Sequence, residues 1–404
     1  MPVVSIALNW RALFDQGKDA QKMTHRREYL PYGRHDIGKD EVEAVSRILM
    51  SDWLTTGPTV VKFEQAFARF VGAKEAIAVS NGTAALQIAC QASGLKPGFE
   101  AITTPFTFVA TANAVAYCGA DPIFADIQSD TYNLNPVSVR RKLNKRTKAI
   151  LPVDYAGHPS DVIDFMEMAE KKNIVVIEDA AHSVGAQIEG KKVGSIAHMT
   201  TFSFHPVKQM TTGEGGMVTT NDEELASRLR ALRNHGIEKD ARSRHGKVGT
   251  YEYDMRELSY NFRLTDIQAA LGLIQLGRLP EFIRRRAKLV TIYQELAGKL
   301  PIKLPITRSN VKHAWHLYPV LIKEARKRDA VFTLMRAANI GVNIHYIPVY
   351  RHSFYRNRYP KIGPAHFPFT EKVFSGELTL PLFPGMTRND VVDVVYALSS
   401  ALEV

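Results

Sequence analysis

The sequence predicts an α/β protein in which a large domain with a mixed, mostly parallel sheet precedes a smaller α+β domain. Short β-rich runs alternate with helical patterns from about residue 75 to residue 220, which is typical of stacked βαβ units. These runs lack the alternation of a half-exposed strand, so both faces of the sheet should be covered. After residue 265 the pattern changes to longer helices. We therefore expect an N-terminal arm at 1–27, a large domain at 28–264 and a small domain at 265–404.

The elements of the large domain follow from these runs. Strands are expected at 75–80, 101–104, 122–126, 148–153, 174–178 and 200–204, and helices at 83–92, 109–117 and 160–171.

The small domain shows helical periodicity first and short strands afterwards. Thr387, with Asp390 three residues later in a capping-box arrangement, predicts the start of a last helix. We interpret the arginine run at 284–286 as a solvated helix face. The other expected elements are helices at 265–276 and 280–299 and strands near 314–322 and 341–347.

Composition narrows the class of protein. The net charge of +11 raises the possibility of nucleic-acid binding, but Lys and Arg are scattered and no basic module is apparent. A basic mouth for an anionic small molecule or a generally basic surface explains the charge equally well. The two cysteines, Cys90 and Cys118, suit a reducing compartment. We expect a cytoplasmic protein without membrane spans, nucleic-acid partners or a metal site, since apolar runs of bilayer length and metal-binding spacings are missing.

A first candidate binding motif is SNGTAA, which starts at Ser80 and joins a predicted strand to a predicted helix. The first turn of a helix has unpaired N–H groups and a positive dipole end, so it suits a phosphate. An ordinary tight turn capped by Asn81 or Thr83 would explain the same residues.

A second candidate is Asp179, which follows the buried strand IVVIE. Ligands of open α/β sheets bind beyond the carboxyl ends of the strands, so this carboxylate could hold a cationic nitrogen. Alternatively, Asp179 caps a turn. His182, three residues later, could contact a bound ring or occupy a turn.

A third candidate is Lys208, which lies after a predicted strand in the glycine-rich stretch SFHPVKQMTTGEGG. A lysine that attacks a carbonyl must be partly neutral, which desolvation and nearby cations favour. A lysine on a surface loop is the simpler explanation when the stretch is considered alone.

Together these motifs resemble the DegT/DnrJ/EryC1/StrS family of sugar aminotransferases. The resemblance runs from Tyr32 to the C-terminus and is sharpest in SNGTAAL, TPFTFVATANA, EDAAHSVGA, SFHPVKQMTTGEGG, LRNHGI and YNFRLTDIQAALG. It implies a fold-type I pyridoxal-phosphate enzyme that cycles through pyridoxamine phosphate. Because some members carry histidine at the lysine position and deoxygenate sugars, Lys208 implies transamination.

The resemblance also implies residue roles. Lys208 would bond to the cofactor and Asp179 would pair with its ring nitrogen. Asn261 would reach the phosphate from a neighbouring subunit, which implies a homodimer with shared active sites. Asp154 departs from the family pattern, where a less charged residue is expected. The other matched cofactor contacts are Gly82, Thr83 and Ser203 at the phosphate, Phe108 stacked on the ring and His182 beside it.

Stretches such as SDWLTTGPTVVKFE and LTLPLFPGM look most like enzymes of pseudaminic acid biosynthesis. That resemblance implies transfer of an amino group from glutamate to C4 of a UDP-linked 4-keto-6-deoxy-N-acetylhexosamine. Amination at C3, a GDP- or dTDP-linked sugar, or a non-catalytic binding protein are the alternatives. The expected substrate contacts are Arg34, His35, Thr55, Thr56 and His345, with Arg242 and Arg244 at the diphosphate.

Overall fold

The computed structural model describes residues 26–238 and 252–403. Helices and strands alternate through the first half of the chain. In chain order the elements are α1 (Lys39–Leu49), α2 (Pro58–Val71), β1 (Glu75–Val79), α3 (Gly82–Ala92), β2 (Glu100–Thr103), α4 (Ala110–Tyr117), β3 (Asp121–Phe124), α5 (Pro136–Lys142), β4 (Thr147–Leu151), α6 (Val162–Glu170), β5 (Val175–Asp179), β6 (Gln187–Ile188), β7 (Lys191–Lys192), β8 (Met199–Ser203), β9 (Gly216–Thr220) and α7 (Glu223–Arg233).

The second half is dominated by one long helix and a small sheet. Its elements are α8 (Asp266–Ala297), β10 (Ile302–Lys303), β11 (Val311–Lys312), β12 (Tyr318–Ile322), α9 (Arg328–Ala337), α10 (Ser353–Arg358), α11 (Pro368–Gly376), β13 (Glu377–Leu380) and α12 (Arg388–Glu403).

The principal sheet has seven strands in the order β1-β9-β8-β5-β4-β2-β3. Neighbours from β3 to β8 pair in parallel, and β9 runs antiparallel to both β8 and β1. The expectation of a mixed, mostly parallel sheet is confirmed. Since every strand except β9 runs in one direction, their carboxyl ends meet at a single edge, where α/β proteins bind ligands.

Both faces of this sheet are buried, as the lack of alternation predicts. On β1, Ile77 and Val79 pack into one core with helices α3 and α7, whereas Ala76 and Ala78 face a second core built with α2 and α8. Burial on both faces explains why the strand sequences are almost wholly apolar.

The second sheet is antiparallel and has the order β10-β12-β13. It packs with the C-terminal part of α8 and with α9 and α12 around a separate core, in which the rings of Tyr293 and Tyr318 stack at 4.6 Å. The capping box at α12 is confirmed, because the Asp390 carboxylate accepts from Thr387 N at 2.8 Å and Asp390 N donates to Thr387 Oγ1.

Three sequence expectations in this half are wrong. The helices expected at 265–276 and 280–299 form one continuous helix through Pro280, because Leu279 and Phe282 on either side are buried in packed positions. Arg286 is buried and donates to the backbone oxygens of three other residues, so the expectation of a solvated run is wrong for Arg286, whereas Arg284 and Arg285 are exposed. The segment 341–347 is no strand and makes only an isolated bridge from Asn343 to β13.

None of the helices within the described ranges is both long and apolar enough to cross a membrane.

A buried carboxylate joins the starts of α2 and α8. Asp266 is fully buried, and its two carboxylate oxygens accept hydrogen bonds from Gly57 N at 2.6 Å and Thr59 N at 2.8 Å. It therefore satisfies first-turn N–H groups of α2 that have no partner inside that helix.

Replacing Asp266 by alanine should lower the free energy of unfolding by about 3 kcal/mol, because two hydrogen bonds to a charged acceptor are lost. Urea denaturation followed by circular dichroism measures this. Glu43→Ala is the control, since Glu43 is exposed and lies 3.9 Å from Arg47; its effect should stay within about 0.5 kcal/mol. Equal losses in the two variants would contradict the assigned role of Asp266.

Candidate active site

A cleft opens at the carboxyl edge of the principal sheet. Its volume of about 580 Å³ lies within the roughly 300–1,000 Å³ typical of small-molecule pockets. Its lining includes these residues singled out in the sequence: Gly82, Thr83, Phe108, Asp179, His182, Ser203, Lys208 and His345.

The SNGTAA motif forms the turn between β1 and α3. Asn81 caps the helix by accepting from Ala84 N at 2.8 Å, as the simpler interpretation of this turn expects. The backbone N–H groups of Gly82 and Thr83 precede that capped amide and lie in the cleft wall. The turn is thus both capped and open to a ligand at its first two residues.

Close packing makes glycine necessary at this turn. A Cβ added to Gly82 would lie 2.8 Å from the Cβ of Ser203, and one added to Gly216 would lie 2.5 Å from the backbone oxygen of Asn81. The turn is consequently pressed against the ends of β8 and β9, which places the Ser203 hydroxyl beside it.

Asp179 ends β5 with its side chain in the cleft. Its carboxylate accepts from Thr111 Oγ1 at 2.7 Å and from Ala181 N at 3.2 Å. Burial raises the pKa of Asp179, while these hydrogen bonds and the charge of Lys208 oppose the rise. The carboxylate is held in one orientation and can accept from a cationic N–H group.

Lys208 lies in the loop between β8 and β9. Lys208 N donates to His205 O at 2.9 Å, and the loop is closed by Phe204, which accepts from Thr212 N and donates to Gly215 O. The Lys208 side chain therefore turns into the cleft. Burial lowers the pKa of its amine to about 8, and the charge of Asp179 opposes this change.

Histidines form the opposite wall. His182 Nε2 lies 3.0 Å from Tyr346 Oη, and its Nδ1 is buried with no partner among the described residues. The rings of His182 and His316 are 4.5 Å apart. Burial, followed by the charge of Lys208, lowers the pKa of both rings far below the usual value, so they are neutral.

Asp154 stabilises the backbone at Asp179. It is fully buried, accepts from Ser160 N at 2.8 Å and from Ser183 Oγ at 2.5 Å, and donates its own N–H to Asp179 O. Burial raises the pKa of Asp154 to about 7. Asp154 is thus a carboxyl group that can be neutral and that fixes the backbone at Asp179.

Several residues expected near Lys208 lie elsewhere. Thr56 lines a groove on another side of the sheet, and Thr55 pairs with Thr265. The chain does not bring Thr55 or Thr56 to its own cleft, because this segment is tied to the start of α8. Arg34 and His35, by contrast, are exposed and line a narrow cavity that Lys208 also lines.

Asn261 is exposed and lies outside the cleft of its own chain. Phe108 is in the cleft with its ring 6.1 Å from that of Tyr346. Arg242 and Arg244 lie outside the described residues, as does most of the N-terminal arm. Among the described residues no group of three or more His, Cys, Asp or Glu could hold a metal ion.

Several side chains of the cleft wall were not expected from the sequence. Thr111 lies within the quoted motif TPFTFVATANA, whereas His316 and Tyr346 follow more than 100 residues after Lys208. Their place in the cleft depends on contacts between segments that are distant in sequence. The unexpected residues include Tyr32, Thr111, His316, Asn343 and Tyr346.

The amine of Lys208 should titrate with a midpoint near pH 8 in the cofactor-free protein, because burial lowers its pKa. Since Asp179 raises that pKa, Asp179→Asn should move the midpoint to lower pH. NMR of protein labelled with ¹³Cε-lysine measures both midpoints, and Lys208→Arg assigns the resonance. A midpoint that Asp179→Asn leaves unchanged would exclude electrostatic contact between the two groups.

The comparisons with known proteins agree with this geometry. Residues 35–399 match the model of the DegT/DnrJ/EryC1/StrS aminotransferase family. The spore coat polysaccharide biosynthesis protein SpsC of Bacillus subtilis is 40% identical, over 92% of this chain and 97% of that protein.

Solved structures of such enzymes superpose on nearly the whole chain. The putative sugar aminotransferase Spr1654 of Streptococcus pneumoniae, in its PMP form, has a TM-score of 0.88 and 30% identity and covers 93% of this chain and 99% of its own. Helicobacter pylori PseC, an aminotransferase of pseudaminic acid biosynthesis, has a TM-score of 0.86 and 29% identity over 93% of this chain and 100% of its own. Spr1654 also has a PLP form. The chain therefore belongs to the DegT/DnrJ/EryC1/StrS family and is a pyridoxal-phosphate-dependent aminotransferase of fold type I.

Proposed function

We propose that this enzyme transfers an amino group from glutamate to C4 of a UDP-linked 4-keto-6-deoxy-N-acetylhexosamine, giving 2-oxoglutarate and a UDP-4-amino-4,6-dideoxy sugar. The observation that carries transamination is the amine of Lys208, with a pKa lowered to about 8, in the same cleft as the carboxylate of Asp179 at the sheet edge. A histidine at this position would lack the primary amine that the chemistry requires.

The cleft residues fit pyridoxal phosphate. The amides of Gly82 and Thr83 with the Ser203 hydroxyl offer donors to its phosphate, and the close approach at Gly82 leaves no space for a larger residue. The unpaired buried Nδ1 of His182 offers a further polar contact, and Asp179 is placed for the ring nitrogen. When bound, the cofactor supplies an electron sink for the carbon that loses a proton.

Lys208 is proposed to hold the cofactor at rest and to move the proton once substrate has displaced it. An amine with a pKa of about 8 is partly neutral near neutral pH, so it can both accept and return a proton. The fixed carboxylate of Asp179 is proposed to keep the cofactor's ring nitrogen protonated. Phe108 is proposed to stack on the ring, and the histidine wall to exclude water around the amine.

The choice of sugar is supported by similarity to PseC and by the quoted sequence stretches. Basic residues are proposed to hold the diphosphate, since arginine pairs with phosphate oxygens bidentately. His345, in the cleft wall, is proposed to contact the sugar. The basic candidates are Arg34, His35, Arg242 and Arg244.

We propose a homodimer in which each subunit completes the cleft of the other. Asn261, at an exposed position, is proposed to reach the phosphate across the interface, with Thr55 and Thr56 near the same boundary. Its neighbourhood exposes apolar side chains that a partner would cover: Tyr117, Leu258 at 81% exposure and Tyr260 line or adjoin one surface depression. Apolar patches of this kind mark protein interfaces.

The purified enzyme should show the absorbance band of lysine-bound cofactor and release 2-oxoglutarate from glutamate in repeated turnovers, beyond one equivalent per site, only when the right keto-sugar is supplied. A panel of UDP-, GDP- and dTDP-linked 4-keto and 3-keto sugars identifies that substrate. Lys208→Ala should abolish the band and lower turnover by at least about 10³-fold. Turnover with a GDP- or dTDP-linked sugar alone would reassign the substrate. A protein that takes up no cofactor would refute the proposed reaction.

The shared site predicts that two inactive variants restore activity when mixed. Lys208→Ala removes the amine of its own site, whereas Asn261→Ala should impair the partner's site. A mixed dimer then has one intact site, so random exchange at equal concentrations should give about a quarter of wild-type activity. Dimers mixed after unfolding and refolding test this. Recovery that does not rise above the sum of the two variants would place Asn261 outside a shared site.

A further inference from the structure

A chain of hydrogen bonds leads from a fully buried carboxylate to the cleft wall. Glu377, at the start of β13, is fully buried, and its Oε1 accepts from Thr379 Oγ1 at 2.6 Å. Thr379 Oγ1 lies 2.9 Å from Nδ1 of His345, and Glu377 Oε2 accepts from His345 N at 2.9 Å. The other ring nitrogen of His345, Nε2, lies 3.3 Å from Asn343 Nδ2.

The donor and the acceptor of each hydrogen bond in this chain are determined by the groups at its two ends, Asn343 and Glu377. Ile344 N donates to Asn343 Oδ1 at 2.9 Å, so the oxygen of that amide is fixed and its NH₂ group points to His345. His345 Nε2 must then be an acceptor, which leaves the ring proton on Nδ1. Nδ1–H donates to Thr379, whose hydroxyl donates in turn to Glu377.

We propose that Glu377 and Thr379 are positioning residues that hold His345 as the neutral Nδ1–H tautomer in the cleft wall. The tautomer of a histidine is set by the hydrogen bond of its other nitrogen, and a buried acceptor at the end of the chain sets it here. The backbone of His345 is held by Tyr155, whose hydroxyl donates to His345 O at 2.6 Å. The effect of this tautomer on catalysis rests on the proposed function, since His345 lines the cleft beside Lys208.

A neutral ring is the electrostatically compatible state at this position. Burial and the charge of Lys208 lower the pKa of His345 to about 3. Burial raises the pKa of Glu377 to about 8, against the hydrogen bonds from Thr379 and His345 and the charge of Arg328. Above that pH the carboxylate is ionised and can only accept, which is the state that the chain requires, whereas a protonated Glu377 can donate to Thr379 Oγ1 and reverse the chain. The tautomer and its kinetic effect are therefore predicted for pH 9.

Selective ¹⁵N-histidine NMR of the full-length holoenzyme at pH 9 tests the tautomer directly. We expect His345 to show a protonated Nδ1 and an unprotonated Nε2, with the signals assigned by their loss in His345→Gln. Wild-type protein with the proton on Nε2 would overturn the proposal. This readout needs no substrate, so it stands apart from failure of the keto-sugar assay, which would refute the proposed function alone.

Glu377→Gln should exchange donor and acceptor in the hydrogen bonds that link residue 377, Thr379 and His345 Nδ1. The oxygen of the new side-chain amide must stay with the His345 backbone N–H, so the NH₂ group of that amide would donate to Thr379, whose hydroxyl would then donate to Nδ1. The ring proton would move to Nε2, against the NH₂ group of Asn343. We expect the tautomer to invert and kcat/KM for the keto-sugar to fall about tenfold, the loss expected of one hydrogen bond.

A second substitution should repair the reversed chain. Asn343→Asp supplies an acceptor to Nε2–H, so Glu377→Gln/Asn343→Asp should keep the inverted tautomer and regain most of the lost kcat/KM. Thr379→Ser, which retains the hydroxyl, should stay within about twofold of wild type, whereas Thr379→Val should lose the single tautomer. An unchanged tautomer in both Glu377→Gln and Thr379→Val would overturn the proposal, even if activity falls.

Discussion

The site depends on the electrostatic relation between the amine of Lys208 and the carboxylate of Asp179 across a buried edge of the sheet. Burial disfavours the charge on each group, and each opposes that effect in the other. Removing one partner would leave an uncompensated charge, which is far more costly than the pair itself is stabilising. The surrounding structure is arranged to hold these two groups in place and to keep water away from them.

The parallel sheet brings Asp179 and Lys208 to the same edge. Because the strands on either side of β5 run in the same direction, Asp179 and the loop of Lys208 emerge at one edge although they are separated in sequence. The antiparallel β9 then returns the chain and packs it against the turn at Asn81 and Gly82, where Gly216 permits the contact. Asp154 fixes the other side of Asp179 through its backbone hydrogen bond.

The sequence was sufficient where local pattern and tertiary packing agree. All strands of the principal sheet except β9, the capped turn at Asn81 and the place of Lys208 in the cleft follow from apolar runs, glycines and the order of the motifs. It was insufficient where packing overrides the local signal. Pro280 predicts a helix break, yet buried neighbours on both sides keep α8 continuous. Arg286 lies in an arginine run, yet it donates to three carbonyl oxygens inside the protein.

Polar residues that work through a partner were the hardest to identify from sequence. Thr111 orients Asp179 and Glu377 orients His345, but neither role leaves a periodic or compositional signal, because each depends on a contact between distant segments. The same reason explains why the role of Asp154 was not identified from the sequence. Its buried carboxyl group depends on two serine donors that only the structure reveals. Since an unpaired polar group is costly inside a protein, each buried carboxyl group here requires specific donors, and those donors determine which side chains can face the cleft.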